Sequence, residues 1–124
     1  MIKFPKEVRN KWLEALRSGK YTQSKQYLKR KDGSMCCLGV LCDIQGVGWV
    51  DVGDYYVTSD SSYAWPTISD VGSEVYTAIS DGVYDPECQK NDSVLYTVLG
   101  HMNDMYGKSF EEIADYIEAN TEGV

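Results

Sequence analysis

The sequence predicts an α+β fold, with N- and C-terminal helices packed around a buried central helix and a small antiparallel sheet. Three observations carry this. Apolar residues recur at helical spacing near both ends, at Val8, Trp12, Ala15 and Leu16 and again at Phe110, Ile113, Ala114 and Ile117. Met35 to Ile44 is apolar on every side and is long for a strand. Between Trp49 and Trp65 the texture changes to short β-rich pieces around Gly53. The chain has 124 residues, which is one domain, 1–124, by ordinary size. A chain of this size buries roughly two thirds of its unfolded surface, so it needs neither metal nor disulfides to hold a core.

The first helix opens at Phe4-Pro5-Lys6-Glu7, where a proline without an N–H does no harm. Gly19 stops it as the residue just past the end. Residues 21–28 are polar and read as extended or irregular, followed by the basic run Lys29-Arg30-Lys31 and a turn at Asp32-Gly33. Met35 to Ile44 reads as a buried helix, although Gly39 lowers its helix propensity by about 1 kcal/mol relative to alanine. Gly46 and Gly48 end it. Residues 49–52 and 54–58 read as strands, with Tyr63-Ala64-Trp65 as a third. Val71, Val75, Ala78 and Ile79 then take helical spacing up to Asp81-Gly82, and residues 83–91 read as a loop. Asn91-Asp92-Ser93 offers an N-cap for a helix carrying Leu95, Val98, Leu99 and Met102. Gly107 breaks the chain, and Ser109 with Glu112 forms a capping box for the last helix.

Charge is distributed unevenly. Residues 1–31 hold ten of the twelve Lys and Arg against Glu7 and Glu14, whereas the remainder holds Lys90 and Lys108 against seventeen carboxylates. Such an asymmetry points either to a basic face for an anionic partner or to two parts that attract each other. No apolar run approaches membrane-spanning length, and no apolar signal core follows the N-terminal lysines, so a cytoplasmic protein is expected.

Several catalytic chemistries lack their patterns. Cys36, Cys37 and Cys42 lie in the apolar run without paired metal-binding knuckles, which reads as buried thiols. His101 is the single histidine, and no nucleophile elbow surrounds Cys88 or Ser93. Asp51 with Asp54, and Asp81 with Asp85, lack the spacing of a calcium loop and read as solvated acidic surface. There is no Walker loop and no GxGxxG. No cofactor and no metal is therefore expected. The basic segment is more suggestive, because Lys11, Arg17, Lys20, Lys25, Lys29, Arg30 and Lys31 interleave with Trp12, Tyr21 and Tyr27. Lys and Arg hold phosphates and aromatic rings stack on bases, whereas Trp12 sits on the apolar helix face and reads as core.

Four segments together resemble a group of small tailed-phage and prophage proteins: KWLEALRSGKYTQ from Lys11, CCLGVLCD from Cys36, MND from Met102 and KSFEEIADYI from Lys108. The likeness covers both ends and the cysteine-rich segment, while residues 49–92 depart from it and read as the variable part. The group carries no established activity to transfer to particular residues. What the resemblance implies is context: small phage accessory proteins blunt host immunity, and some are sponges that trap a nucleotide messenger without cleaving it. The expected function is accordingly a non-enzymatic counter-defence protein in the host cytoplasm, sequestering an anionic nucleotide-derived signal. Arg17, Lys20, Tyr21, Gln23 and Lys25 are the expected ligand contacts, with Tyr55 or Tyr56 closing the pocket. The alternatives are a protein-binding inhibitor of a host defence enzyme through the acidic surface, and a small hydrolase using His101. A homodimer is the default expectation for a small pocket-forming protein.

Overall fold

The two ends of the chain lie side by side. A computed structural model describes residues 1–124, the side chains of 90–92 excepted. In it β1 (Ile2–Phe4) pairs in parallel with β7 (Thr121–Gly123), with Ile2 opposite Thr121. Helices α1 (Lys6–Arg17) and α6 (Phe110–Asn120) pack against each other beside this pair. Pro5 stands at the N-cap of α1, and Gly19 takes the left-handed φ of +76° that ends the helix. The stripe Phe110, Ile113, Ala114 and Ile117 is buried as its spacing predicts. The capping box forms, with the Glu112 amide donating to Ser109 Oγ and the Ser109 amide to Glu112 Oε1, each at 3.1 Å.

Helix α2 (Cys37–Ile44) is the centre of the molecule, and six consecutive residues from Cys37 to Cys42 are buried. It packs on α1, on α5 (Leu95–Asp104) and on α3 (Ile68–Val71). Trp12, fully buried, donates its indole N–H to the Cys37 carbonyl at 3.0 Å. Gly39 is not a weakness in this helix. A Cβ there would stand 1.8 Å from the Leu28 carbonyl oxygen, so the glycine is what lets the 21–28 segment lie on α2.

A three-stranded antiparallel sheet runs in the order β2 (Lys29–Arg30), β4 (Tyr55–Val57), β3 (Val50–Asp51). The β3–β4 hairpin follows the sequence expectation. The third strand does not: Tyr63-Ala64-Trp65 forms none, and the basic pair Lys29–Arg30 takes that place. The Tyr63 carbonyl accepts one bond from the Leu28 amide, after which Trp65 leaves the sheet to cover Gly100 and meet Tyr96 edge-on.

Three further expectations are corrected. The helix over 71–79 is two helices, α3 and α4 (Ser73–Ile79), because Gly72 adopts φ +89° between them. Residues 83–91 are not a loop. They lie largely in a hairpin of β5 (Gly82–Asp85) and β6 (Lys90–Val94), whose inward side chains are Val83 and Asp85. That four-residue alternation is too short to stand out between a glycine and a proline. Residues 91–93 consequently belong to a strand and do not cap α5. Val94 is its N-cap, without a side-chain bond, and the Leu95 amide donates to the Asp81 carbonyl at 2.9 Å. No helix among the described residues is long and apolar enough to cross a membrane.

Cys36, Cys37 and Cys42 are buried, whereas Cys88 is exposed. Burial pushes the Cys36 thiol up to about 11 and raises Cys37 and Cys42 as well. Only thiolates attack disulfide reagents quickly. Native protein at neutral pH should therefore titrate one fast thiol per chain, abolished by Cys88→Ser, with the other three appearing on denaturation. Two or more fast thiols in that native titration would contradict the packing of α2.

Candidate ligand-binding face

An aromatic and cationic surface is built by the segment leading into β2. Gln26 takes a left-handed φ of +75°, held by its amide bond to Asp104 Oδ1 at 3.1 Å. That kink turns Tyr27 outward while Leu28, fully buried, drops against Gly39. Alternation along β2 then sends Lys29 and Arg30 to opposite faces of the ribbon. The Asp32–Gly33 turn follows, in which the Ser34 hydroxyl and amide hold the Asp32 carboxyl below its usual range.

On one face Tyr27 stacks on Tyr55, with ring centroids 4.4 Å apart and planes 15° from parallel. Tyr63 leans on both, at 6.3 and 5.9 Å, and is half exposed. The Arg30 guanidinium lies 5.1 Å from the Tyr27 ring centre. Its Nε donates to the Lys25 carbonyl at 3.1 Å and one Nη to Gln26 Oε1 at 3.4 Å, which leaves further N–H groups to face solvent. On the other face Lys29 Nζ sits 4.6 Å from the Tyr56 ring and 5.4 Å from Trp49. Trp49 is held by an N–H bond to Asp43 Oδ1 at 3.0 Å, and Tyr21 donates to the other oxygen of that carboxylate at 2.7 Å. Burial, reinforced by Asp43, pushes the Tyr21 phenol up to about 12. Among the described residues, Lys25, Lys29, Arg30 and Lys31 form no ion pair with a carboxylate.

The residues expected from sequence are not brought to one place. Arg17 reaches across to α6, with one Nη 2.8 Å from Asp115 and 3.0 Å from Glu118, and Nε 3.8 Å from Glu111. The hydrogen bond that Arg17 donates to Asp115 raises its pKa further. Arg9 bonds Thr121 and the Glu118 carbonyl, and Lys3 pairs with Glu122. Part of the charge asymmetry is therefore spent inside the molecule, where Lys3 and Arg17 join β1 and α1 to carboxylates of β7 and α6. Lys20 and Tyr21 line one cavity of about 370 Å³, and Gln23 and Lys25 line another of the same size. The Gln23 amide is fully engaged: Nε2 donates to Asn103 Oδ1 and the Lys108 carbonyl, each at 2.9 Å, and Oε1 accepts from the Phe110 amide at 3.1 Å. Tyr55 and Tyr56 point to opposite faces of β4, and of the expected set these two belong to the ribbon, which Lys25 joins through its carbonyl alone.

Sequence reading named Tyr27, Lys29 and Arg30 in the basic, aromatic segment but did not place them, or Tyr63, in its contact set. The available signal was the run Tyr27-Leu28-Lys29-Arg30, a leucine set between a ring and two cations. His101 is half buried, edge-on to Tyr106 at 6.0 Å. Among the described residues no group of three or more His, Cys, Asp and Glu side chains converges as a metal site requires.

Comparison with known proteins finds no similar curated protein and no similar solved structure. A family model described as a domain of unknown function (DUF8296) matches residues 4–121, and the chain belongs to that family.

Proposed function

We propose that this chain is a non-catalytic binding protein that captures and sequesters an anionic, nucleotide-derived ligand on its tyrosine–arginine ribbon. The observation that supports this is the Arg30–Tyr27–Tyr55 stack, in a segment whose Lys25, Lys29 and Lys31 have no carboxylate partner among the described residues. Stacking fixes the plane of a guanidinium and leaves its edge for a phosphate. Tyrosine faces supply sequence-tolerant stacking for a base. The resemblance of the terminal and cysteine-rich segments to phage and prophage proteins supports a counter-defence role in the host cytoplasm.

Calorimetry and thermal shift against nucleoside phosphates, cyclic dinucleotides, ADP-ribose and short oligonucleotides test this reading. A ligand at a hundred times its Kd should stabilise the fold by about 2.7 kcal/mol and be recovered chemically unchanged. Arg30→Ala and Tyr55→Ala should each weaken binding at least about tenfold, the scale of one charge-assisted contact or one stacked ring. Arg17→Ala combined with Lys20→Ala should leave affinity within about threefold, a difference well under the 1.4 kcal/mol of a tenfold change. Turnover of the ligand, or no shift with any of these compounds, would refute the proposal. Loss of biological function on removing α6 carboxylates alone would favour the inhibitor of a host enzyme.

A further inference from the structure

We infer that the ligand of this ribbon is an unpaired nucleic-acid strand and not a free nucleotide, an inference that rests on the nucleotide-binding reading above. The face is open. Cavities of about 590, 340 and 280 Å³ lie at the chain termini, beside β5, and between 45–48 and 59–70, and none is lined by Tyr27, Tyr55 or Tyr63. A single nucleotide on such a face gains one stacked ring and one or two phosphate bonds. One stacked base is worth about tenfold to a hundredfold in Kd. That is too little for tight capture once the loss of translational and rotational freedom is counted. A strand sums several such contacts for one loss of freedom.

The ribbon is furnished for summation. One face presents Tyr55 and the half-exposed Tyr63 beside Arg30, and the other presents Lys29 over Tyr56 and Trp49. Lys25, Lys29, Arg30 and Lys31 fall within seven residues, in a chain whose net charge is −7. The rest of the chain is net acidic, which favours this segment for a polyanion on average, although Lys6, Lys11 and Lys20 also form no ion pair among the described residues. A duplex fits poorly, because its bases are stacked on one another and closed to tyrosine rings, whereas unpaired bases are free to stack.

Fluorescence anisotropy decides it, using the full chain with a labelled twelve-nucleotide oligo-dT, the matching RNA, and a duplex of the same length, each in 50 mM salt. The single strands should bind, and the duplex at least about tenfold more weakly. Affinity should fall with salt at a log–log slope of about −2 to −3, which corresponds to three or four phosphates at about 0.7 each. Tyr63→Ala and Tyr55→Ala should each lower affinity about tenfold, while Tyr63→Phe, which keeps the ring, should retain it. Arg30→Ala should lower affinity and reduce the slope by about 0.7. Tyr63 is exposed enough that its replacement leaves the fold intact, and circular dichroism of each variant checks this. Equal binding of duplex and single strand, or no effect of the tyrosine changes, overturns the inference. A free nucleotide that binds as tightly as the strand also overturns it, although the reading of a nucleotide-binding protein would then stand. If neither strand nor nucleotide binds, both fail.

Discussion

Gly39→Ala should strip the protein of about 3 kcal/mol of stability or more, at the upper end of what overpacking a core produces. The clash falls on backbone. An alanine Cβ would lie 1.8 Å from the Leu28 carbonyl oxygen and 2.7 Å from its carbon, and Leu28 is itself fully buried. Neither α2 nor the 21–28 segment can give way without opening the core. Helix propensity pulls the other way, favouring alanine by about 1 kcal/mol, so a net loss isolates the packing effect. Domains have only about 5–15 kcal/mol in total, which makes the change visible as a large drop in urea midpoint at unchanged m-value. Gly100→Ala is the control. Its Cβ would meet the Trp65 ring at 2.7 Å, but that ring is 43% exposed and can swing outward. Its loss should be about 1 kcal/mol, in the range of an ordinary point substitution, with altered tryptophan fluorescence. If Gly39→Ala melts with the parent protein, the close approach of Leu28 to α2 is wrong.

The second large effect is expected at Asn103, which is 1% exposed and uses both ends of its amide. Oδ1 accepts from Gln23 Nε2 at 2.9 Å and from the Cys37 amide at 3.2 Å. Nδ2 donates to the Ser24 carbonyl at 2.8 Å and to Asp104 Oδ1 at 2.9 Å. Asn103→Ala leaves the first N–H of α2 and the Ser24 carbonyl without these partners. At about 1–3 kcal/mol for each stranded buried group, a total loss near 3–4 kcal/mol is expected in chemical denaturation. Gln23→Ala should lose less, about 1–2 kcal/mol, because Gln23 is only half buried. The double variant should fall short of the sum by about 1 kcal/mol, since the two side chains bond each other. An Asn103→Ala loss under 1 kcal/mol would mean that water replaces the network.

These two residues mark how far local reading reaches. Both helix starts they serve use a partner from far along the chain. Cys36 precedes α2 with a weak acceptor, its Sγ taking the Gly39 amide at 3.4 Å. The Cys37 amide is satisfied by Asn103, sixty-six positions away. At α6 the local capping box is legible, but the Phe110 amide is satisfied by Gln23 from eighty-seven positions back. Gln23 therefore reads as a ligand contact when seen beside lysines and as a structural cap when its partners are known. Arg17 behaves the same way, a basic residue at the end of α1 whose partners are carboxylates on a helix almost a hundred residues later.

What the sequence determined by itself is the set of elements whose signal is local. The apolar stripes of α1 and α6, the Ser109–Glu112 box, the buried α2 and the β3–β4 hairpin follow from periodicity, capping chemistry and turn residues within a dozen positions. The tertiary structure alone decided which distant pieces meet. It chose Lys29–Arg30 over Tyr63–Trp65 as the third strand, brought Tyr27 onto Tyr55 and Tyr63, turned Gly39 from a weak helix former into a contact point, and divided the cations between α6 and the open ribbon. Strand pairing, aromatic stacking and ion pairing depend on which surfaces the core brings within a few ångströms, and no pattern confined to one segment encodes that.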